Sequence, residues 1–266
     1  MSKKVEEFQK EVWKYYHTHG RHDLPWRKTR DPYKILVSEI MLQQTQVSRV
    51  LEKYKEFLTN FPTVYVLAQA TLTEVIRTWS GLGYNRRGKY LHDSAKMIVT
   101  AYNGDFVEAL VNPLPGVGPY TRAAVRTFAF NEPHTMIETN IRAVYIHHFF
   151  KEGKPVSDKE LIPLIEKAMP ISPPAGGPRE WHWALMDYGS YLKKQFPNPS
   201  RRSAGYTKQS KFEGSLRQVR GMILRELHKG PSLLNSLPVE KERVDAALAS
   251  LKKHGMIKKI RGRWSI

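Results

Sequence analysis

The 266-residue chain contains no cysteine. That absence removes disulfides, thiolate nucleophiles and any metal or iron–sulfur site held by thiolates alone. The sequence also lacks an apolar run long enough to span a bilayer, and Met1 to Lys10 is polar and charged where a signal sequence would be apolar. The expectation is a soluble protein inside the cell with no membrane partner. Acidic residues are scarce, 25 Asp and Glu against 43 Lys and Arg, for a formal net charge of +18 and a pI near 9.9. Such an imbalance points to a polyanionic partner, because each phosphate neutralised by a cation releases condensed counterions. The excess is concentrated late: residues 193–220 hold eight Lys/Arg against one acid, and residues 221–266 hold ten against four.

The chain is organised around Leu114-Pro115-Gly116-Val117-Gly118-Pro119-Tyr120-Thr121, which runs into the apolar segment Ala123 to Phe130. Pro115 and Gly116 break a helix, Gly118 supplies a permissive backbone, and Pro119 suits the first turn of the next helix. The product is a helix N-terminus whose amides and positive dipole end favour a phosphate, with Gly116 and Gly118 keeping side chains out of the way. An ordinary helix-to-helix turn is the alternative. About twenty residues on comes Glu138-Thr139-Asn140, with Glu138 opening a helix whose stripe is Ile141, Val144, Tyr145 and His148. Taken alone, Glu138 simply complements a helix dipole.

Earlier in the chain, Phe8, Val12, Trp13 and Tyr16 stand at helical spacing in a segment from Val5 to His17. Leu24-Pro25-Trp26-Arg27 then breaks the chain and pairs an aromatic face with a forked donor. Asp31 caps the next helix and Pro32 occupies its first turn. Glu39 lies inside its apolar run, Ile35 to Thr45, where the protonated acid with a raised pKa is the cheaper state unless the side chain finds the solvent face. Gln43 and Gln44 offer amide groups suited to base edges, or to solvating a helix end.

Residues 47–80 read as two or three short helices with Phe57, Phe61, Leu67, Val75, Ile76 and Trp79 in the core. The loop Ser80-Gly81-Leu82-Gly83-Tyr84-Asn85-Arg86-Arg87 presents an aromatic followed at once by cations. It suits a base-stack wedge, Tyr84, flanked by phosphate contacts from Arg86 and Arg87; a buried tyrosine after a capping glycine is the alternative. A helix from Lys89 to Tyr102 follows. His147 and His148 lack a carboxylate or cysteine at ligand spacing, so no metal site is expected. Pro170 to Pro178 is a proline- and glycine-rich connection, Glu180 to Tyr191 an aromatic helix, and Lys193 to Lys211 a basic linker. From residue 212 onward, Leu216, Val219, Ile223 and Leu227 form one helical face and Val244, Ala247, Leu248 and Leu251 another. Gly255 to Ile266 reads as two short strands around a basic turn. Helix, short helix, helix and hairpin make a winged helix, with Arg261 and Arg263 on the wing.

LPGVG followed by a carboxylate–x–Asn element resembles the helix-hairpin-helix superfamily of DNA glycosylases. LPWR, VSEIMLQQTQV, GLGY and MDYGS are similar to motifs of its MutY type, the adenine DNA glycosylases. The likeness covers residues 5–192 closely and 212–266 more loosely. It implies a mostly α protein: a helix-hairpin-helix glycosylase domain (1–192) of two helical subdomains with the active site between them, a basic linker (193–211), and a small C-terminal winged helix (212–266). It implies Glu39 and Glu138 as the catalytic carboxylates, Tyr120 and Asn140 as positioning groups, Trp26 and Arg27 against the base pocket, and Tyr84 as the wedge. Gln43, Gln44, Arg86, Arg87, Gly116, Gly118, Arg261 and Arg263 are the expected DNA contacts.

Departures from the family are equally specific. Asn85 stands where a second tyrosine is common. Glu138 replaces aspartate, and one extra methylene moves the charge by about 1.5 Å where errors of about 1 Å can cost ~100-fold. Tyr120 replaces the Schiff-base lysine of bifunctional relatives, and no lysine lies between Leu114 and Asn140. Lys193 and Ser200 to Ser203 stand where cysteines would hold a [4Fe–4S] cluster. No cofactor is therefore expected, apart from room for a monovalent cation at the hairpin. No counterpart of the Nudix-like domain that senses 8-oxoguanine is found. The resemblance implies a monofunctional, monomeric, cytoplasmic and nucleoid-associated prokaryotic enzyme. It would excise adenine opposite 8-oxoguanine or guanine from double-stranded DNA carrying a mismatch or oxidised base. A thymine or uracil mismatch glycosylase, or a damaged-DNA binder with impaired catalysis, are the alternatives.

Overall fold

The computed structural model describes residues 3–150, 153–170, 177–208, 211–234 and 237–266. In chain order the helices are α1 (Lys3–His19), α2 (Pro32–Leu42), α3 (Val47–Asn60), α4 (Val64–Gln69), α5 (Leu72–Trp79), α6 (Arg86–Tyr102) and α7 (Phe106–Ala109). After them come α8 (Pro119–Phe130), α9 (Thr139–Phe149), α10 (Asp158–Ala168), α11 (Gly177–Gln195), α12 (Leu216–Leu227) and α13 (Lys241–Lys253). The hairpin β1 (Lys258–Ile260) and β2 (Arg263–Ser265) closes the list. The chain divides into two compact units, Met1–Ile35 with Gly118–Lys208, and Leu36–Val117 with Gln209–Ile266. The mostly α class expected from the sequence is what the structure shows.

In the first unit α11 is the central element, packed on α9 and α1. Phe8, Val12 and Tyr16 of α1 are buried as their spacing requires, and Val5 joins them. Trp181 of α11 meets Phe8 edge-on, ring centroids 5.8 Å apart, and Tyr145 of α9 lies 5.1 Å from Phe8. Helix α10 begins at Ser157, whose backbone amide and hydroxyl both donate to the Glu160 carboxylate, at 2.8 and 2.7 Å. Residues 171–176 of the proline- and glycine-rich connection, and residues 209–210 of the basic linker, lie outside the described residues.

One ion pair ties the chain's beginning to α11. Arg27 donates from Nη1 and Nη2 to the two carboxylate oxygens of Asp187 at 2.7 and 2.9 Å, and both residues are buried. Arg21 adds its backbone amide at 2.8 Å and its Nε at 2.6 Å. Burial alone would raise the Asp187 carboxyl; the Arg27 bonds, then the charges of Arg27 and Arg21, outweigh it and hold the group below its ordinary 3.8.

In the second unit every core candidate between residues 57 and 79 is buried. Thr71 and Glu74 form a capping box on α5. The C-terminal helices share a core with α5: Ile76 packs among Val219, Ile223, Leu224, Leu227, Ala247 and Leu251. The C-terminal faces are as expected except at Leu216, which opens α12 half-exposed beyond the reach of that core. Ser232 forms an antiparallel bridge with Trp264 at the edge of the hairpin. Arg261 and Gly262 both have positive φ, +47° and +80°, as a two-residue hairpin turn demands. Two helices and a hairpin thus stand where the winged helix is expected. Its short middle helix is not among the described elements, and residues 235–236 lie outside them.

An acidic group with a lowered folded-state pKa stabilises the fold above its ordinary range, and that contribution fades as pH falls through the folded value. Arg27→Met would leave Asp187 buried with half its partners, so urea unfolding at pH 7 should show a loss of about 3–5 kcal/mol. Acid unfolding of the variant should also begin at higher pH than in the parent chain. Equal stability at pH 7 and an unmoved acid transition would contradict the assignment.

Candidate active site

The first unit carries the carboxylate–x–Asn element. Glu138 is the N-cap of α9 rather than a residue of its first turn, with extended backbone at φ −138° and ψ 179°. Its Oε1 accepts from the amides of Asn140 and Ile141 at 2.8 and 2.9 Å. Its Oε2 accepts from Asn140 Nδ2 and from the Thr139 hydroxyl, each at 3.1 Å. Both carboxylate oxygens of Glu138 are thereby held at the start of the helix. Lys193, from the expected basic linker, donates to the Thr139 hydroxyl at 3.3 Å. Burial holds the Lys193 ammonium below its ordinary value, while attraction to Glu138 works the other way. Sequence reasoning missed Lys193 as a neighbour of the carboxylate because a charge run carries no sign of which member turns inward.

Gly189 of the MDYGS segment was also overlooked as a positioning residue. A Cβ there would stand 2.3 Å from the Asn140 carbonyl oxygen and 2.8 Å from its Cβ. The glycine lets α11 approach the first turn of α9, where Glu138 is anchored. Tyr120 stands in the first turn of α8, half-buried. Gly118 is the N-cap of that helix, with φ −76° and open space where a Cβ would be. Its backbone therefore does not require glycine; what glycine leaves is a helix end with no capping side chain. Trp26 is buried in a single 3-10 turn, Pro25–Arg27, and Arg27 lies 5.4 Å from the Trp183 ring. The expected base-pocket arginine is thus bound to Asp187, a partner 160 residues away that local sequence cannot reveal.

The second unit holds the other predicted residues. Glu39 is buried, with Val37, Ile40 and Met41 of the same helix almost fully enclosed, so the solvent-face alternative fails. Gly116 has φ +71°, and a Cβ there would meet the Tyr90 side chain at 2.6 Å. Arg87, expected on a phosphate, turns inward instead. Its Nη1 donates to the carbonyls of Ile40 at 2.8 Å, Met41 at 3.0 Å and Gln43. Its Nη2 reaches the Thr45 hydroxyl at 3.0 Å and the Gly83 carbonyl at 3.2 Å. One guanidinium therefore caps the end of α2, just beyond Glu39, and fastens the Ser80–Arg87 loop to it. Burial pushes Arg87 down to about 10. Tyr84 and Gln44 both hold positive φ, +46° and +56°. Gln44 is exposed and Gln43 half-buried, and Arg86 is exposed with Nη1 2.8 Å from His254 Nε2. Arg261 and Arg263 are exposed on the hairpin.

A family model described as HhH-GPD superfamily base excision DNA repair protein matches residues 37–169, half of the chain. The chain belongs to this superfamily. A protein named adenine DNA glycosylase from Mycobacterium tuberculosis is 33% identical over 259 residues, 87% of this chain and 81% of its own. Another of that name, from Buchnera aphidicola subsp. Baizongia pistaciae, is 33% identical over 187 residues, 70% of this chain. The chain spans about half (52%) of that relative's length. These likenesses set it among the MutY-type members of the superfamily. Among solved structures, a thermostable thymine-DNA glycosylase matches at 29% identity and a TM-score of 0.60, covering 71% of this chain and 87% of its own. An endonuclease III–DNA complex, at 19% identity and a TM-score of 0.59 over 76% of this chain and 99% of its own, shares the fold.

At Ser200 to Ser203, where the resemblance would place cluster cysteines, the chain is closed onto Val156 by backbone hydrogen bonds. Val156 forms a parallel bridge with Ser203, Val156 N donating to Arg202 O at 2.8 Å and Ala204 N to Val156 O at 2.9 Å. Arg202 Nη1 donates to the Phe150 carbonyl at 3.2 Å, and Ser200 and Ser203 are buried. This donor set, serine hydroxyls and an arginine engaged with the backbone, does not fit a thiolate-ligated cluster. Of the basic residues here, Arg201 and Lys194 face outward, whereas Lys193 and Arg202 bond inward.

Gly189→Ala should force α9 and α11 apart and lower unfolding stability by about 1–3 kcal/mol. The amide resonances of Asn140 and Ile141 should move with it, since both bonds to Glu138 depend on that approach. A variant with parental stability and unmoved amides would contradict the positioning role.

Proposed function

We propose that the chain is a monofunctional DNA glycosylase of base excision repair. On this reading it flips adenine mispaired with 8-oxoguanine or guanine out of double-stranded DNA and hydrolyses its N-glycosidic bond. The observation that carries this reading is the 33% identity to an adenine DNA glycosylase along 87% of the chain, in a sequence holding both carboxylates. Adenine is a poor leaving group. Glu39 protonates a ring nitrogen as the bond from the base to sugar C1′ breaks, so the base departs neutral. The sugar is left as an oxocarbenium-like cation, stabilised by the Glu138 carboxylate. Water adds to C1′, and its proton returns to a carboxylate. Tyr120 and Asn140 position the sugar and the acid. Tyr120 offers a phenol where a lyase needs an amine, so strand cleavage by imine chemistry is not expected from this position.

The enzyme works as a monomer on mismatched or oxidised duplex in a prokaryotic cytoplasm, beside the nucleoid. A second reading, excision of thymine from a mismatch with guanine, is favoured by the likeness to the thymine-DNA glycosylase structure at 29% identity.

Single-turnover base release separates these readings on four duplexes: adenine opposite 8-oxoguanine, adenine opposite guanine, thymine opposite guanine and uracil opposite guanine. Adenine release is expected, slowed by about 10²–10⁴-fold in Glu39→Gln. Thymine or uracil release instead would transfer the case to the second reading. Binding without release from any duplex would leave a damaged-DNA binder.

A further inference from the structure

Within the second unit, the Ser80–Arg87 loop and α12 form the walls of a cleft of about 910 Å³. Six arginines line it and no aspartate or glutamate does. Glu226, next to the lining residue Arg225 on α12, is paired with Lys229 at 2.7 Å. Among the described residues no carboxylate forms an ion pair with Arg49, Arg86, Arg220 or Arg225. Cations gathered without counter-charges repel one another in the free protein. Burial, and then the charge of Arg86, hold Arg220 below the usual arginine range.

Tyr84 stands in the middle of this field. The Arg87 guanidinium carbon lies 5.3 Å from its ring centroid and that of Arg217 lies 5.2 Å away. Arg217 Nη1 also donates to the Tyr84 hydroxyl. Arg87 is fastened to carbonyls of its own wall, whereas Arg217 belongs to α12. The tyrosine, in a left-handed conformation that costs a non-glycine residue energy, is therefore held by a cation from the other wall.

We infer that this cleft is a phosphodiester-binding site for one DNA strand, and that Arg217 exchanges its contact with Tyr84 for a phosphate when the strand enters. Three observations favour a strand over a single anion. The cations lie on both walls, so one phosphate cannot satisfy them. Arginine forks match paired phosphate oxygens. An aromatic ring lies among them, and a strand brings a base to stack on it once Arg217 has moved. The inference rests on the DNA-directed reading above and adds α12 to it as a wall of the binding groove.

The test uses the full chain and a fluorescently labelled mismatched duplex, with anisotropy read across a salt series. Arg86 and Arg225 are exposed, so the double variant Arg86→Ala/Arg225→Ala should keep the parental melting temperature. Its affinity at 0.1 M salt should fall by about tenfold or more, and the slope of log K against log salt should become shallower by about 2. Arg217→Ala, as a second variant, should make the slope shallower by about 1. Unchanged slopes in both would overturn the inference. An unlabelled single-stranded oligonucleotide should displace the duplex, whereas inorganic phosphate should act no better than sodium chloride of equal ionic strength. Specific competition by inorganic phosphate would show a free-phosphate site and overturn the strand assignment. Base release is scored separately: shallower slopes with no base release from the parent chain would sink the glycosylase reading and leave the cleft standing. Base release with unchanged slopes would do the reverse.

Discussion

The carboxylate of Glu138 folded onto the start of α9 is the constraint from which the first unit's site follows. Two backbone amides and two side chains converge on it, so its position is set by the helix end rather than by a free side-chain rotor. Helix α9 is in turn placed by α11, whose Gly189 admits the Asn140 carbonyl and whose Lys193 reaches Thr139. Helix α11 is fixed to the early chain by Asp187 and its two arginines. The longer side chain is thereby held at the helix end by four hydrogen bonds.

The arginines of this basic chain fall into two groups by what they bond. Arg27, Arg87 and Arg202 are turned inward, onto a carboxylate or onto carbonyls, and act as clasps. Their planar forks satisfy several acceptors at once, which a lysine cannot do. Arg86, Arg225, Arg261 and Arg263 remain at the surface, and the first two line a cleft without acids. Net charge therefore overstates the cations available to a phosphate, and position decides which of them count.

The helices of the fold were legible because their stripes are regular: α3, α5 and α13 bury the residues their periodicity marks, and α1 and α9 do so except at Trp13 and His148, which are half-buried. The Asp31 cap was legible too, and its Oδ1 accepts from Tyr33 N at 2.9 Å. Helix α10 was overlooked although Ser157-Asp158-Lys159-Glu160 announces its start, since Pro163 interrupts the pattern. At the site, residue types were readable and partners were not. Asp187, Lys193 and Gly189 act through contacts with residues far away in sequence, and only packing reveals them. Gly118 shows the converse: read as a backbone necessity, it adopts an ordinary extended conformation and contributes by what it leaves open.

The claim at the centre of this account is that Glu138 presents its carboxylate in working position despite its extra length. Single-turnover adenine release from a duplex with adenine opposite 8-oxoguanine, comparing the parent chain with Glu138→Asp, tests it most directly. Because four hydrogen bonds fix the carboxylate at the helix end, the two rates are expected to agree within about tenfold. A parent chain that is silent, or that aspartate accelerates by the ~100-fold that a misplacement of about 1 Å costs, would contradict it.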